Sequence, residues 1–198
     1  MYLVTDYKLD FPILIEKVKI ALECGVKIIQ YRAKEKSTRV MCKEAKILKR
    51  LCARYNAIFI INDRVDIALA IDAHGVHLGR EDMKIRDARK ILPKGKIIGG
   101  TAHNEEEAIE AINEGADYLG VGALYKTKSK DNTINLSINT LERIRKITNK
   151  PIYGIGGITA FNITRDIKKN IDGVAVISAI LDSKNIEKEV KKILENII

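Results

Sequence analysis

The sequence has few of the features that mark secreted, membrane-bound or zinc-containing proteins. Its three cysteines are odd in number and form no Cys-x-x-Cys pair, so neither a disulfide framework nor a structural zinc site is indicated. No run of about 18 apolar residues occurs, and no charged segment precedes a cleavable apolar stretch. We therefore expect a cytoplasmic protein that neither spans nor binds a membrane.

Aromatic residues are also scarce, which bears on the meaning of the net charge of +9. Lysine and arginine side chains neutralise phosphates of any source, so a basic protein can bind nucleic acid or acidic membranes. In this chain aromatic residues make up only 5%, and no basic run is interleaved with stacking aromatic side chains. We expect no nucleic-acid partner, and small phosphorylated substrates instead.

Several short motifs of nucleotide-binding and hydrolytic enzymes are missing as well. The chain contains no GxxxxGKS or GxxxxGKT loop and no GxGxxG fingerprint. It has no HExxH pattern or other Cys/His ligand set, and no serine lies in a GxSxG elbow. A P-loop nucleotide site, a zinc protease and a hydrolytic triad are therefore not supported.

What the sequence does contain is an unbroken alternation of strand-like and helix-like runs. The strand-like runs begin near residues 2, 27, 59, 75, 96, 117, 151 and 172, and a helical segment follows each. The fifth of these strands is predicted to end at Gly99. Eight such units, parallel by the crossover rule, predict a single (β/α)8 TIM barrel of the α/β class over residues 1–198. An open doubly wound sheet is the structural alternative.

Polar residues mark the starts of several predicted helices. Asp10 is a candidate N-cap, with Pro12 in the first turn of the helix that follows. Asn104 with Glu107 resembles a capping box.

Two aspartates follow neighbouring strands at the point where each strand ends. Asp63 follows the apolar run at 59–61, and Asp82 comes shortly after the run at 75–78. A short apolar segment between them predicts a helix, and hence a βαβ unit with a carboxylate near each strand tip. Two oxygen donors side by side suit Mg²⁺ bound to a phosphorylated substrate. The alternative is that both aspartates only cap the helices that follow.

Cationic residues follow two other strands. Gln30, Arg32 and Lys34 have a spacing of two, which points their side chains to the same side of an extended chain. The loop at 126–131 combines hydroxyls with ammonium groups, which suits phosphate oxygens. For both segments the alternative is a solvated polar stretch without a ligand.

The last two strands end in residues typical of a phosphate site. The glycine-rich run at 154–159 lets backbone N–H groups approach an anion, and a short helix from Ser178 would add its positive end. Barrels of this type commonly bind a phosphate at this place. His77, which alternates with Val76 and Leu78, is expected instead to be a hydrogen-bonded residue of the barrel.

Taken together, these strand-end motifs resemble the thiamine phosphate synthase family over essentially the whole chain. The residues that carry the resemblance are Gln30, Arg32 and Lys34, residues 60–66, 75–79, 81, 82 and 120–122, Thr127, Ser129 and Lys130, and residues 154–158 and 173–180.

The resemblance implies an activity and a set of site residues. The reaction would join 4-amino-5-hydroxymethyl-2-methylpyrimidine diphosphate to 4-methyl-5-(2-phosphoethyl)thiazole, giving thiamine phosphate and pyrophosphate in thiamine biosynthesis. The implied metal is Mg²⁺, bound by Asp63 and Asp82. The implied contacts to the pyrimidine diphosphate are Gln30, Arg32, Lys34, Asn62 and Lys130, those to the thiazole phosphate are Thr127, Ser129, Gly157, Ile177 and Ser178, and the implied catalytic residues are Lys34, Lys130 and Thr101.

The implied mechanism is a dissociative substitution through a pyrimidine cation, which needs no general base and fits the missing hydrolytic motifs. The chain departs from the family at a few positions. Thr101 and Ser129 replace the more frequent Ser and Thr, Arg80 replaces Gln, and Lys126 replaces Pro.

Three rival functions remain. A thiazole tautomerase-like barrel would share only the thiazole-phosphate half of the site, and Asp63, Asp82 and Lys34 argue against it. A phosphosugar epimerase or another phosphate-binding barrel has no use for the Gln30, Arg32 and Lys34 cluster, although the fold alone does not decide. A non-catalytic basic binding protein is the third. The oligomeric state stays open between a monomer and a small homo-oligomer.

Overall fold

The computed structural model describes residues 1–126 and 135–197, and in them the chain forms a closed barrel of parallel strands with helices outside. The strands are β1 (Tyr2–Val4), β2 (Ile28–Tyr31), β3 (Ile58–Asn62), β4 (Gly75–Leu78), β5 (Ile97–Ala102), β6 (Tyr118–Val121), β7 (Ile152–Ile155) and β8 (Gly173–Val176). The helices are α1 (Phe11–Glu23), α2 (Thr38–Arg54), α3 (Val65–Ala70), α4 (Ile85–Ile91), α5 (Glu105–Asn113), α6 (Ile138–Ile147), α7 (Arg165–Asn170), α8 (Ser178–Leu181) and α9 (Ile186–Ile197).

The strands pair in chain order, and β1 also pairs with β8 to close the barrel. The predicted (β/α)8 barrel is therefore confirmed, and the open doubly wound sheet is wrong. The register sets Asn62 beside His77 and Thr101 beside Gly120. Because all strands run the same way, their last residues meet at one end of the barrel.

Strand β5 is longer than the prediction, which ended it at Gly99. It continues through Gly100 and Thr101 to Ala102. The reason is spatial, because a Cβ on Gly99 would lie 2.1 Å from Cζ of Tyr118 and one on Gly100 would lie 2.8 Å from Cδ1 of Ile85. These glycines leave room for neighbouring side chains and do not end the strand.

The helix starts follow the sequence signals with one exception. Asn104 accepts a hydrogen bond from the N–H of Glu107 at 2.9 Å, as predicted for a capping box. Asp10 occupies the N-cap position of α1, but its side chain makes no capping hydrogen bond. Pro12 lies at the second helical position and has no N–H, which removes one of the two usual donors to an N-cap side chain.

Apolar side chains form two layers. The larger one lies between the strands and the helices. None of the helices described is long and apolar enough to cross a membrane. The smaller one fills the inside of the barrel and contains Tyr2, Val4, Tyr118 and Ala175, with Tyr153 packed against them. The ring of Tyr153 packs edge to face against that of Tyr2, with centroids 5.3 Å apart. The tyrosine rings form a floor across the barrel.

Two matching ion pairs lie at the opposite end, where the strands begin. Arg89 pairs with Asp117, and Arg145 pairs with Asp172. Each aspartate also accepts a hydrogen bond at 2.8 Å from a backbone N–H of the neighbouring strand. Each guanidinium also donates to two backbone carbonyls. These pairs join loops to strands at the amino ends of the strands, away from their carboxyl ends.

Candidate active site

A cavity of about 530 Å³ opens at the carboxyl end of the barrel, above the tyrosine floor. Every predicted site residue in the described part of the chain lines it, namely Gln30, Arg32, Lys34, Asn62, Asp63, Asp82, Thr101, Gly157, Ile177 and Ser178. Thr127, Ser129 and Lys130, which were also predicted, lie outside the described residues. The barrel thus brings together residues from six different strand ends.

The end of β2 delivers cations to the cavity. Gln30 is buried, and its Nε2 donates to the hydroxyl of Tyr2 at 2.5 Å. The backbone N–H of Arg32 donates to Oγ1 of Thr5 at 2.9 Å, which holds the chain extended past the end of the strand. Lys34 is exposed and continues along the same side. The spacing of two therefore places all three side chains as predicted.

A buried carboxylate anchors the loop that carries these cations, and sequence reasoning missed it. Glu44 on α2 accepts a hydrogen bond from the hydroxyl of Tyr31 at 2.6 Å. It also forms an ion pair with Lys36 at 2.7 Å. Lys36 lies two residues after Lys34, so the contact ties the loop to the helix. The available signal was an acidic residue on the apolar face of α2, next to Ala45.

The carboxyl groups of Asp63 and Asp82 lie next to each other in the wall of the cavity. The N–H of Asp63 donates to the carbonyl of His77 at 2.8 Å, and Oδ2 of Asp82 accepts from the N–H of Gly79 at 2.7 Å. Neither caps a helix, because the N-cap residues of α3 and α4 are Arg64 and Lys84. The helix-capping alternative is therefore wrong.

Electrostatics in this pair favour a bound cation. Burial raises the pKa of Asp63 to about 6, and a hydrogen bond with Asp82 and repulsion by its charge act in the same direction. Lys34 and Arg32 oppose the shift only partly. No cluster of three or more His, Cys, Asp and Glu side chains occurs in the described part of the chain. A two-carboxylate site fits Mg²⁺, which completes its shell with water and substrate phosphates.

Thr101 lies at the end of β5 and is held from below by His77. Nε2 of His77 lies 3.0 Å from Oγ1 of Thr101, and its Nδ1 lies 3.0 Å from the hydroxyl of Tyr118. Burial lowers the pKa of His77 to about 4, so the ring is neutral near pH 7. His77 is hydrogen-bonded inside the barrel, as predicted, and it also contacts a site residue, which its sequence pattern did not show.

The opposite side of the cavity is formed by the loop after β7 and the start of α8. Gly157 has a φ of 62°, and a Cβ there would lie 2.5 Å from the carbonyl oxygen of Lys126. Asn162 fixes this loop, because its Nδ2 donates to the carbonyl of Gly157 at 2.9 Å and its Oδ1 accepts from the N–H of Thr159 at 2.8 Å. The short helix predicted at Ser178 is present as α8.

Arg80, one of the departures from the family pattern, lies at the rim of the cavity. Its guanidinium forms an ion pair with Glu110 on α5 at 2.7 Å. The pair directs the charge of Arg80 towards the helix layer.

Comparisons with known proteins agree with this geometry. A family model described as thiamine monophosphate synthase matches residues 1–180. The thiamine-phosphate synthase of Clostridium perfringens is 56% identical over 194 residues, covering 98% of this chain and 94% of that relative. A solved thiamine phosphate pyrophosphorylase from Pyrococcus furiosus superposes with a TM-score of 0.88 at 39% identity, covering 99% of this chain and 94% of that one.

A second solved structure shares the fold alone. The 3-hexulose-6-phosphate synthase of Salmonella typhimurium has a TM-score of 0.78 at only 19% identity, covering 100% of this chain and 98% of that one. The fold therefore does not distinguish between activities, whereas the family model and the 56% identical relative do.

The predicted family is confirmed by these matches, and so is the prediction that the chain is a transferase. The roles of individual residues and the bound Mg²⁺ stay predictions. From the matched length and the identity to its relatives, the chain belongs to the thiamine monophosphate synthase family.

Proposed function

We propose that this chain joins 4-amino-5-hydroxymethyl-2-methylpyrimidine diphosphate to the thiazole phosphate and releases pyrophosphate, forming thiamine phosphate. The observation that carries the proposal is the convergence of two chemically different walls on one cavity. Carboxylates and cations from the ends of β2 to β4 form one wall, and the glycine-rich loop with Ser178 forms the other. The first wall suits a pyrophosphate with a metal, and the second suits a monophosphate.

On the first wall, Arg32 and Lys34 attract the pyrophosphate and stabilise the negative charge that grows on it as it leaves. Gln30 and Asn62 orient the pyrimidine end, with Lys130 as a further contact outside the described residues. Mg²⁺ bound by Asp63 and Asp82 would supply charge neutralisation for the leaving pyrophosphate.

On the second wall, the backbone at Gly157 and Ile177 and the hydroxyl of Ser178 hold the thiazole phosphate, with Thr127 and Ser129 as contacts outside the described residues. The two substrates then share one cavity, so their reacting atoms are held close without diffusion. Departure of pyrophosphate leaves a cation on the electron-rich pyrimidine, and the thiazole nitrogen captures it. No residue has to remove a proton in this step.

The same proposal covers the setting of the reaction. The ligands are small phosphorylated molecules, and neither nucleic acid nor membrane takes part. We place the protein in the cytoplasm, as a monomer or a small homo-oligomer. The scattered basic charge and the 5% of aromatic residues support the absence of a nucleic-acid partner.

The test is pyrophosphate release by the purified protein with both substrates and Mg²⁺, each omitted in turn. We expect release only with all three, together with thiamine phosphate. Asp82→Asn should abolish it, whereas Asp87→Asn, at an exposed residue paired with Lys90, should not. Binding of the thiazole phosphate without pyrophosphate release would favour the tautomerase-like alternative and contradict the proposal.

A further inference from the structure

A chain of hydrogen bonds crosses the inside of the barrel beneath the cavity and joins β2 to β5. Nε2 of Gln30 lies 2.5 Å from the hydroxyl of Tyr2, which lies 2.7 Å from the hydroxyl of Tyr118. That hydroxyl lies 3.0 Å from Nδ1 of His77, and Nε2 of the same ring lies 3.0 Å from Oγ1 of Thr101. Both ends of the chain, Gln30 and Thr101, line the cavity.

The barrel is built to hold the two central rings in contact. The rings of His77 and Tyr118 stack with centroids 5.5 Å apart and planes 27° apart. A Cβ on Gly99 would lie 2.1 Å from Cζ of Tyr118 and 2.5 Å from Nδ1 of His77. A Cβ on Gly120 would lie 3.0 Å from Cε1 of His77. Glycines on β5 and β6 thus make the space in which the contact forms.

The donors and acceptors fix the direction in which protons are donated along this series of hydrogen bonds. The amide nitrogen of Gln30 can only donate, so the oxygen of Tyr2 accepts. Within the described residues the remaining hydrogen-bond partner of Tyr2 is Tyr118, which therefore receives the proton of Tyr2. Tyr118 in turn donates to Nδ1 of His77. The opposite direction would leave the buried hydroxyl proton of Tyr2 without an acceptor among these groups.

The direction decides what Thr101 presents to the cavity. Because Nδ1 of His77 accepts, the single N–H of the neutral ring is on Nε2 and donates to Oγ1 of Thr101. The oxygen of Thr101 then accepts one hydrogen bond from His77, and its own proton is left for a ligand.

We propose that Tyr118 is a positioning residue that fixes the tautomer of His77 and thereby presents the Thr101 hydroxyl to the substrate as a hydrogen-bond donor. The matching ligand atom is an acceptor, such as a phosphate oxygen or a ring nitrogen. The effect on turnover rests on the proposed function. The tautomer of His77 is a property of the protein alone and can be measured without substrate.

The first experiment measures that tautomer in the ¹⁵N-labelled protein by long-range ¹H–¹⁵N correlation spectra of the histidine side chains. His74→Gln and His103→Gln identify the signals of His77. We expect a proton on Nε2 and none on Nδ1 in the unmodified chain, and a mixture of tautomers in Tyr118→Phe. A proton on Nδ1 of the unmodified chain overturns the proposal.

A matched control separates the hydroxyl of Tyr118 from general packing. The ring of Tyr153 lies 5.5 Å from that of Tyr118, and its hydroxyl makes no hydrogen bond within residues 1–126 and 135–197. Tyr153→Phe should leave the tautomer of His77 unchanged. A change equal to that in Tyr118→Phe would show that packing controls the ring and would contradict the proposal.

The second experiment tests whether Tyr118 acts through Thr101. Tyr118→Phe should lower kcat for pyrophosphate release by about tenfold, the loss expected for one hydrogen bond, with little change in KM for the thiazole phosphate. In a Thr101→Val background the same change should have no further effect on kcat. A second tenfold loss in that background overturns the proposal. If the unmodified chain releases no pyrophosphate, the proposed function fails, and the His77 spectra still decide this inference.

Discussion

Asp63 combines two unfavourable features at one residue. Its φ of 63° lies in the left-handed region, which glycine, asparagine and aspartate tolerate best. Its carboxyl is also held against that of Asp82, with a pKa raised to about 6. Unfavourable geometry and charge at a single buried position are typical of functional sites.

Asp63→Asn is therefore expected to stabilise the metal-free protein while removing its activity. The pKa of Asp63 is raised from 3.8 to about 6, so its contribution to stability is fully present below pH 4 and is lost as the pH rises through 6. Asparagine accepts the same φ and carries no charge. At pH 8 in EDTA the variant should melt a few degrees higher than the parent, and the difference should vanish near pH 4.

Asp66→Asn is the control for this titration. The ion pair with Arg64 at 2.6 Å lowers the pKa of Asp66, so removing its charge should lower the melting temperature at pH 8. A melting temperature of Asp63→Asn at or below that of the parent at pH 8 would show that the Asp63 and Asp82 carboxyls do not repel each other in the folded state. Activity is followed by pyrophosphate release with Mg²⁺.

The placement of individual side chains could be predicted only in part. Asp63, Asp82 and the Gln30 cluster could be located because parallel strands end together and a spacing of two points side chains one way. The contact between His77 and Thr101 could not, because it depends on which side chains face one another across the barrel. That arrangement is fixed by strand register and barrel width, which one sequence does not encode locally.

At the scale of the elements, helix α2 does more than cover the barrel. Through Glu44 it holds the loop that carries Arg32 and Lys34, because the carboxylate binds both Lys36 and the hydroxyl of Tyr31. Glu44 is buried, so its charge is stabilised mainly by these two partners. The geometry of the cation wall therefore depends on a residue outside the cavity.

Glu44→Gln should raise KM for the pyrimidine diphosphate several-fold and leave KM for the thiazole phosphate unchanged. The neutral amide still accepts from Tyr31 but no longer pairs with the Lys36 ammonium, so the loop is held less firmly. Steady-state kinetics with each substrate varied in turn provide the measurement.

Glu23→Gln is a matched control, because Glu23 also accepts from a tyrosine, Tyr55 at 3.1 Å, but on the exposed surface. It should change neither constant. An equal rise in KM for both substrates in Glu44→Gln would show a general loss of structure instead of a loosened loop.

The elements themselves could be predicted from hydrophobic periodicity, and the errors have local causes. β5 runs past its glycines because Gly99 and Gly100 leave space for Tyr118 and Ile85, a requirement set by neighbouring elements. The side chain of Asp10 makes no capping hydrogen bond to α1, where Pro12 removes one of the two usual donors. The tyrosine floor was not predicted either, because Tyr2, Tyr118 and Tyr153 come from strands far apart in the sequence.

At the scale of the whole molecule, stabilising ion pairs lie at one end of the barrel and the candidate active site lies at the other. The pairs Arg89–Asp117 and Arg145–Asp172 lie where the strands begin, and the cavity lies where they end. Conserving a fold while changing loops at the other end is typical of this architecture.

Asp172→Asn should lower the free energy of unfolding by about 1–2 kcal/mol without changing kcat, since it weakens charge-assisted hydrogen bonds to Arg145 and the N–H of Ile152. Denaturant unfolding and pyrophosphate release measure the two quantities. Glu187→Gln, which removes an exposed pair with Lys191, should cost less than about 0.5 kcal/mol. A fall in kcat at unchanged KM in Asp172→Asn would show that the two ends are coupled.

The tyrosine floor also affects how substrates enter the cavity and how products leave it. Tyr2 and Tyr118 are buried and fill the barrel axis, so within the described residues the cavity is closed on the side of the tyrosine floor. Both substrates of the proposed reaction then enter, and both products leave, at the carboxyl end of the barrel. A product that lingers excludes the next substrate, so pyrophosphate and thiamine phosphate should both act as inhibitors that compete for entry.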